Sequence, residues 1–184
     1  MNLEILEYPP LTEDIEEAKN HLDKYGMALI ANVLSFDEID EMDKRLNEQF
    51  LGEEKYKVGS KIRGDEGLGV ESSDEEKVSR LVWNLINKGD CFLKLIDHPK
   101  ILPLIQHIIG EKVCLCSMGA HMNGSGNERM ALHQDQWPLV PHPMDFPFMA
   151  NVMYLISDNS PDNGGTRLIP GSHKWPLIDY RTAN

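Results

Sequence analysis

The sequence predicts an α+β chain in which helices occupy residues 1–110 and β structure occupies residues 111–184. Two amphipathic stretches in the first part begin with helix-capping residues, whereas the later apolar runs are short and separated by Gly, Pro, Asn and Asp. A run of helices followed by a run of strands is typical of α+β proteins. The 184 residues suit one domain, so we expect a single domain whose strands form a double-layer roll.

The first part carries the sequence signals of two capped helices. Thr12 precedes an acidic first turn, and an apolar stripe that stops at a glycine predicts a helix over residues 13–25. Ser35 and Glu38 have the spacing of a capping box, which predicts the start of a second helix. The short apolar run between these helices, residues 27–33, predicts a strand.

The middle of the chain alternates between weak and strong patterns. Residues 52–79 contain many glycines and charges and few periodic apolar residues, which predicts a long mobile surface loop, either a lid or a segment without fixed structure. The apolar run 80–86 favours a strand. A further helix is expected to begin at Pro99 and to end at Gly110.

The last part has the pattern of a strand-rich unit. Short runs of apolar residues alternate with clusters of Gly, Pro, Asn and Asp, as expected for strands joined by turns. These runs predict strands at residues 112–122, 130–134, 148–157 and 166–169.

The charge of the chain limits the classes of partner. There are 18 Lys and Arg residues against 30 Asp and Glu residues, and the formal net charge is −12. Nucleic acids and anionic membranes need a positive surface, so we expect neither as a partner, and a small neutral or cationic substrate fits better. Because the sequence has no signal-peptide pattern and no apolar stretch of membrane-spanning length, we expect a cytoplasmic protein.

A His and an Asp two residues apart are the main candidates for chemistry. On an extended strand, His133 and Asp135 would project from the same face, so both could reach one metal ion. An imidazole and a carboxylate are two ligands of the 2-His-1-carboxylate triad, which holds Fe(II) and leaves positions for a co-substrate and dioxygen. The sequence after His173 offers no second histidine for this triad.

Three sequence blocks together resemble the phytanoyl-CoA dioxygenase family. They are ALHQDQWP at residues 131–138, NVMYLISD at residues 151–158 and NGGTRLIPGSH at residues 163–173. A single His-x-Asp is common, but its union with the third block is specific. The resemblance implies an Fe(II)- and 2-oxoglutarate-dependent oxygenase built on a double-stranded β-helix, or jelly roll, with the N-terminal helices packed on it.

The resemblance also implies roles for individual residues. His133 and Asp135 would bind the iron. Thr166, which follows the tight Asn-Gly-Gly turn, would contact 2-oxoglutarate, together with Asn151 from a neighbouring strand. The block at residues 170–173 is similar to a structural corner of the family and carries no expected chemistry.

The residues that follow the metal pair are expected to form part of the substrate pocket. Gln136 and Trp137 lead into a proline-rich loop, residues 138–147, at the mouth of the predicted roll. An aromatic side chain at such a mouth can form the wall of a small-molecule pocket, since these pockets are mostly apolar with a few polar groups.

The chain departs from the family pattern after residue 173. Family members supply a second His several tens of residues further on, and then an Arg that pairs with the distal carboxylate of 2-oxoglutarate; neither precedes Asn184. We therefore expect a truncated piece of an enzyme that lacks the closing strands of the roll, with exposed sheet edges that favour self-association. The histidines to consider as a third ligand are His121, His142 and His173.

The predicted function is hydroxylation of a small-molecule C–H bond by an Fe(II)/2-oxoglutarate-dependent dioxygenase. One alternative is a non-catalytic jelly-roll binding module that has lost the distal His and Arg. Another is an iron oxygenase that does not use 2-oxoglutarate. The sequence beyond Asn184 would separate the enzyme from the module, and a co-substrate turnover assay would test the third possibility.

Overall fold

The computed structural model describes residues 6–63, 78–123, 133, 135 and 146–175 of the chain. Its helices are α1 (Ile15–Tyr25), α2 (Phe36–Tyr56), α3 (Asp90–Leu93) and α4 (Leu102–Ile109). Its strands are β1 (Leu11–Thr12), β2 (Leu29–Ile30), β3 (Ser60–Arg63), β4 (Val78–Val82) and β5 (Ala120–Met122). Short 3-10 helices lie at Leu85–Asn87, Pro161–Asn163 and Ser172–Lys174. The predicted mixture of helix and sheet is confirmed.

Helix α1 connects the two strands of a parallel pair. β1 lies beside β2, with Leu11 opposite Leu29. The Asp14 carboxylate caps the helix, because it accepts the amide N–H of Glu17 at 2.8 Å. At the other end, Gly26 has a φ of 73°, the left-handed conformation that glycine adopts without steric cost.

The prediction that Thr12 caps α1 is wrong. Thr12 is a buried residue of β1, and its hydroxyl accepts the amide N–H of Asp14 at 3.1 Å and also contacts the Glu17 carboxylate. The cap is therefore displaced to Asp14. The strand predicted at residues 27–33 is reduced to β2, and Asn32, with a φ of 52°, interrupts any extension.

Helix α2 begins as the sequence predicts and runs further than expected. Ser35 and Glu38 form the capping box, in which each side chain bonds the backbone N–H of the other residue. Three apolar side chains at four-residue spacing keep one face of the helix buried: Met42, Leu46 and Phe50. The helix ends only at Lys57, which has a left-handed φ of 56°.

The long loop predicted for residues 52–79 is wrong at both ends. Residues 52–56 continue α2, and β3 pairs with β4 in an antiparallel ladder with Ser60 opposite Leu81. Pairing between two separate segments decides this ladder, and the apolar periodicity of either segment alone does not reveal it. Residues 64–77 lie outside the described part of the chain, so their mobility stays a prediction.

Most of the core lies between α2, β4 and the short helices that follow β4. Its buried members are Met42, Leu46, Phe50, Val82, Leu85, Cys91, Phe92 and Leu95. Partly buried apolar side chains from further along the chain pack against it: Met118, Ala120, Tyr154 and Ile156, with Leu34 from before α2. The core therefore anchors the segment around Tyr154 to the helical part of the molecule.

Elements after β4 differ from the prediction in their extent. The strand predicted at residues 80–86 stops at Val82, because Asn84 has a left-handed φ of 55° and a 3-10 helix follows. The helix predicted from Pro99 begins at Leu102, and it ends at Gly110 as expected. β5 completes an antiparallel sheet in the order β3-β4-β5.

Most of the strands predicted for the last part of the chain are not formed. Residues 112–119, 148–157 and 166–169 have no strand structure, and His133 lies outside any strand. A strand makes its hydrogen bonds to other segments, so a strand-type sequence does not form a ladder without a neighbour. The double-layer roll itself stays a prediction.

Candidate metal centre

The structure brings His133 and Asp135 into direct contact. Nε2 of His133 lies 3.1 Å from Oδ1 of Asp135, and their side chains are 43% and 52% exposed. The sequence predicts that the two residues share one face of a strand. Instead, Asp135 lies in a turn and His133 has no regular structure, so the contact has another geometric origin. The two candidate donors nevertheless converge on one point of the surface.

Asn151 is a third member of this cluster. Its amide nitrogen donates to Oδ2 of Asp135, which lies 16 residues earlier in the sequence. The two carboxylate oxygens of Asp135 therefore have different neighbours, with the imidazole beside Oδ1 and the amide beside Oδ2. We refer to His133, Asp135 and Asn151 as the site cluster.

The segment that carries Asn151 is fixed to the core a few residues later. The Tyr154 hydroxyl donates to the backbone carbonyl of Leu95 at 2.9 Å, and the Tyr154 ring packs edge-on against His98 with centroids 6.4 Å apart. Burial raises the pKa of Tyr154 to about 12, so the hydroxyl keeps its proton and remains a donor at physiological pH. This anchor connects the site cluster to the helical layer.

The separation of the two donors fits neighbouring ligands of one metal ion. Bonds from nitrogen or oxygen donors to small divalent cations are about 2.1 Å long, so adjacent octahedral ligands are about 3.0 Å apart. The observed 3.1 Å between His133 and Asp135 is close to that edge length. An imidazole and a carboxylate also have the donor chemistry that Fe(II) sites use. The same distance suits a direct hydrogen bond in a metal-free chain.

The other histidines occupy different places. His121 lies on β5 opposite Leu81, and burial around its ring lowers its pKa. His142 lies outside the described residues. Within the described ranges, no three side chains of His, Cys, Asp or Glu are grouped so that they could hold a metal ion. Among the described residues, no third His, Cys, Asp or Glu is therefore grouped with His133 and Asp135.

His173 packs against the end of α1. Its Nε2 lies 3.3 Å from the backbone carbonyl of Asp23, and the amide N–H of Gly171 donates to the carbonyl of Tyr25 at 2.7 Å. A Cβ on Gly26 would overlap the His173 ring, so glycine is required there for this approach. Burial lowers the pKa of His173, and the Asp23 carbonyl partly opposes this effect. Through these contacts the block at residues 170–173 packs on the end of α1, a structural role that sequence analysis did not identify.

The remaining predicted site residues are Thr166, Gln136 and Trp137. Thr166 is exposed, and among the described residues no hydrogen bond joins it to the site cluster. The turn before it is formed as predicted, since Gly164 has a left-handed φ of 80°. Its carbonyl accepts the amide of Asn123 at 3.0 Å, a contact between distant segments that sequence analysis missed. Gln136 and Trp137 lie outside the described residues.

A mixed helix-and-sheet chain with a clustered imidazole and carboxylate is compatible with a metal-dependent enzyme. The chain belongs to the phytanoyl-CoA dioxygenase family, whose model matches residues 22–183. The resemblance inferred from the three sequence blocks is thus confirmed.

Several curated proteins are similar to the chain, and the three named here are all dioxygenases. Dioxygenase af480 of Aspergillus fumigatus is 29% identical over 165 residues, which cover 90% of this chain and 51% of that protein. A probable alpha-ketoglutarate-dependent hypophosphite dioxygenase of Stutzerimonas stutzeri is 26% identical, with coverages of 90% and 56%. The ectoine dioxygenase of Streptomyces coelicolor is 27% identical, with coverages of 83% and 49%.

Two further findings bound the comparison. The chain spans about half the length of the curated relatives it matches, with 51%, 56% and 49% for the three named above. No solved structure matches the chain with significance.

In the part of the chain that the structure describes, every helix is too short or too polar to cross a membrane.

Proposed function

We propose that this chain is part of an Fe(II)- and 2-oxoglutarate-dependent dioxygenase that hydroxylates a C–H bond of a small molecule. The observation that carries the proposal is the contact between His133 and Asp135, at the separation of two neighbouring metal ligands. Membership of the phytanoyl-CoA dioxygenase family supports it, as does the relative named as alpha-ketoglutarate-dependent.

In this proposal His133 and Asp135 bind the iron through Nε2 and Oδ1. When bound, iron and 2-oxoglutarate together supply the oxidising chemistry. Overall, 2-oxoglutarate loses carbon dioxide and becomes succinate, which takes one oxygen atom of dioxygen, and the substrate C–H becomes C–OH with the other. The contribution of this chain is to hold the donors at a fixed separation and to leave the remaining metal positions open.

The binding of co-substrate and substrate is assigned to the residues that the resemblance indicates. Thr166, at the end of the Asn-Gly-Gly turn, and Asn151 are proposed to contact 2-oxoglutarate. Gln136 and Trp137 are proposed to line the substrate pocket. The names of the relatives refer to chemically different compounds, hypophosphite and ectoine, so no particular substrate is carried over to this chain.

We also propose that the chain forms part of a jelly roll whose remaining strands belong to a longer protein. Burial alternates along one predicted strand: Tyr154 and Ile156 pack on the core, whereas Met153 and Leu155 are 55% and 53% exposed. A strand that is apolar on both faces is typical of one covered on both sides. The relatives, about twice as long as the matched part, have room for such strands.

The test uses the full-length protein with Fe(II), 2-oxoglutarate and dioxygen, and it measures succinate release. We expect Asp135→Ala to abolish release without unfolding the protein, because it removes a metal ligand from an exposed position and leaves the core intact. Loss of a residue that only supports a ligand already costs about 10–100-fold in metal affinity or activity, so losing the ligand itself should cost more.

Asp40→Ala is the matched control, since Asp40 is an exposed carboxylate on α2. It should release succinate at the rate of the unmodified protein. Near-normal release by Asp135→Ala would overturn the proposed site. Metal binding by the unmodified protein without any succinate release would favour the non-catalytic binding module.

A further inference from the structure

The contact between Asn151 and Asp135 has a defined chemical direction. An ionised carboxylate only accepts hydrogen bonds, so the amide nitrogen of Asn151 must face Oδ2 of Asp135. Oδ1 remains directed at the imidazole, 3.1 Å from Nε2 of His133. The amide therefore occupies one oxygen of the carboxylate and leaves the other beside the second donor.

We propose that Asn151 is a positioning residue that holds Asp135 as a ligand through one oxygen only. This inference rests on the proposed function of His133 and Asp135 as metal ligands. A carboxylate can bind a cation through one or both oxygens. Binding through both would occupy an additional position on the ion, whereas the reaction needs open positions for the co-substrate and dioxygen. A donor fixed on Oδ2 opposes that second mode.

A positioning residue is useful only if its own place is fixed. Asn151 lies on the segment that Tyr154 and Ile156 attach to the core, and the Tyr154 hydroxyl bonds the Leu95 carbonyl at 2.9 Å. The Asn151 amide thus connects the exposed carboxylate of Asp135, which lies in a turn, to a segment that is fixed on the helical layer. Partners that orient ligands in this way raise metal affinity without touching the metal.

This role differs from the contact with 2-oxoglutarate that the family resemblance implies for Asn151. A positioning residue affects the metal before any co-substrate is present. Loss of a residue that only contacts 2-oxoglutarate would raise the KM for 2-oxoglutarate and leave the affinity for the metal unchanged. Metal binding measured without 2-oxoglutarate therefore separates the two roles.

The experiment titrates Co(II) into the metal-free full-length protein without 2-oxoglutarate, followed by visible absorption and by calorimetry. Asn151→Leu keeps the size of the side chain and removes the donor, so we expect about 10–100-fold weaker binding and an altered Co(II) spectrum. Asn151→Gln keeps an amide donor and should recover part of the affinity. Asp40→Ala, at an exposed position on α2, is the control and should bind as the unmodified protein does.

A double-mutant cycle excludes a merely structural effect. In the Asp135→Ala background, Asn151→Leu should weaken Co(II) binding no further, because the carboxylate that the amide positions is gone. Unchanged affinity and spectrum in Asn151→Leu, or equal losses in both backgrounds, would overturn the positioning role alone. If neither the unmodified protein nor Asp135→Ala binds Co(II), or if both bind equally, the proposed metal site fails as well.

Discussion

The N-terminal layer, residues 6–110, and the C-terminal part, residues 111–175, differ in where their apolar side chains lie. Among the described residues, the buried apolar side chains of the core all lie between Ala18 and Leu104. Both parts have exposed apolar side chains, but among the described residues the C-terminal part, which exposes Met153, Leu155 and Leu168, adds none to this buried set. Helices satisfy their backbone with bonds between residues four apart, whereas strands need a second segment. Helical segments can therefore form from local bonds, whereas strand segments depend on a partner segment.

The largest expected effect tests this difference in burial. Phe92 is 2% exposed, so Phe92→Ala should lower the free energy of unfolding by about 3–5 kcal/mol. Leu155 is 53% exposed, so Leu155→Ala in the 184-residue chain should change it by no more than about 0.5 kcal/mol. Urea unfolding followed by circular dichroism measures both.

The same pair of variants tests the proposed jelly roll. In a longer protein whose additional strands cover Leu155, Leu155→Ala should cost about 2–5 kcal/mol, the range for a buried leucine. Phe92→Ala should cost the same in both proteins, which makes it the internal reference. An equally small cost for Leu155→Ala in the longer protein would contradict the proposal that this segment is covered on both faces.

The second prediction concerns the contact that joins the two regions. Gly26→Ala should destabilise the chain by at least about 1–2 kcal/mol, the cost of a left-handed backbone with a side chain, because Gly26 has a φ of 73°. The new methyl group would also displace His173. Gly52→Ala is the control, since a Cβ there meets no atom within 4 Å and alanine favours the helix by up to about 1 kcal/mol.

A second variant isolates the contribution of the docked histidine. If the overlap matters, His173→Ala should remove part of the cost of Gly26→Ala, so the two changes should not be additive. Additive costs would mean that the left-handed backbone alone accounts for the effect. The measurement is again urea unfolding of the single and double variants.

The smallest expected effect is a pH dependence at the same junction. Because burial lowers the pKa of His173 in the folded chain, the unfolded chain binds the proton more strongly. Stability from this group should be complete above the ordinary histidine pKa of about 6.5 and should fall as the pH decreases through the lower folded pKa.

The test compares unfolding free energies of the unmodified chain and His173→Gln between about pH 5 and pH 7.5, around the histidine pKa. The unmodified chain should lose more stability on acidification than the variant. Since burial also lowers the pKa of His121, only the difference between the two proteins reports on His173. Identical pH profiles would show that the docked ring contributes nothing to the pH dependence.

The site could be predicted from the sequence only in part. The spacing of His133 and Asp135 was enough to select them as candidate ligands, and the structure brings their side chains together, although not on a strand. The hydrogen bond from Asn151 to Asp135 could not be derived, because it joins positions 16 residues apart. The ligand and co-substrate roles of these residues stay predictions.

The sequence by itself determined the features that depend on a few neighbouring residues. The Ser35–Glu38 capping box and the ends of α1 at Gly26 and of α4 at Gly110 formed where predicted, because each is a bond between residues within one or two turns. The family relationship was also readable, since its three blocks are contiguous stretches of sequence.

Only the tertiary structure decided the features that join distant segments. The pairing of β3 with β4, the bond from Gly171 to Tyr25 and the absence of ladders at residues 148–157 within the described chain all depend on which segments meet. A helix makes its backbone bonds internally, whereas a strand or a docked corner gains stability only when its partner is in place. Local patterns therefore predicted the helices well and the strands poorly.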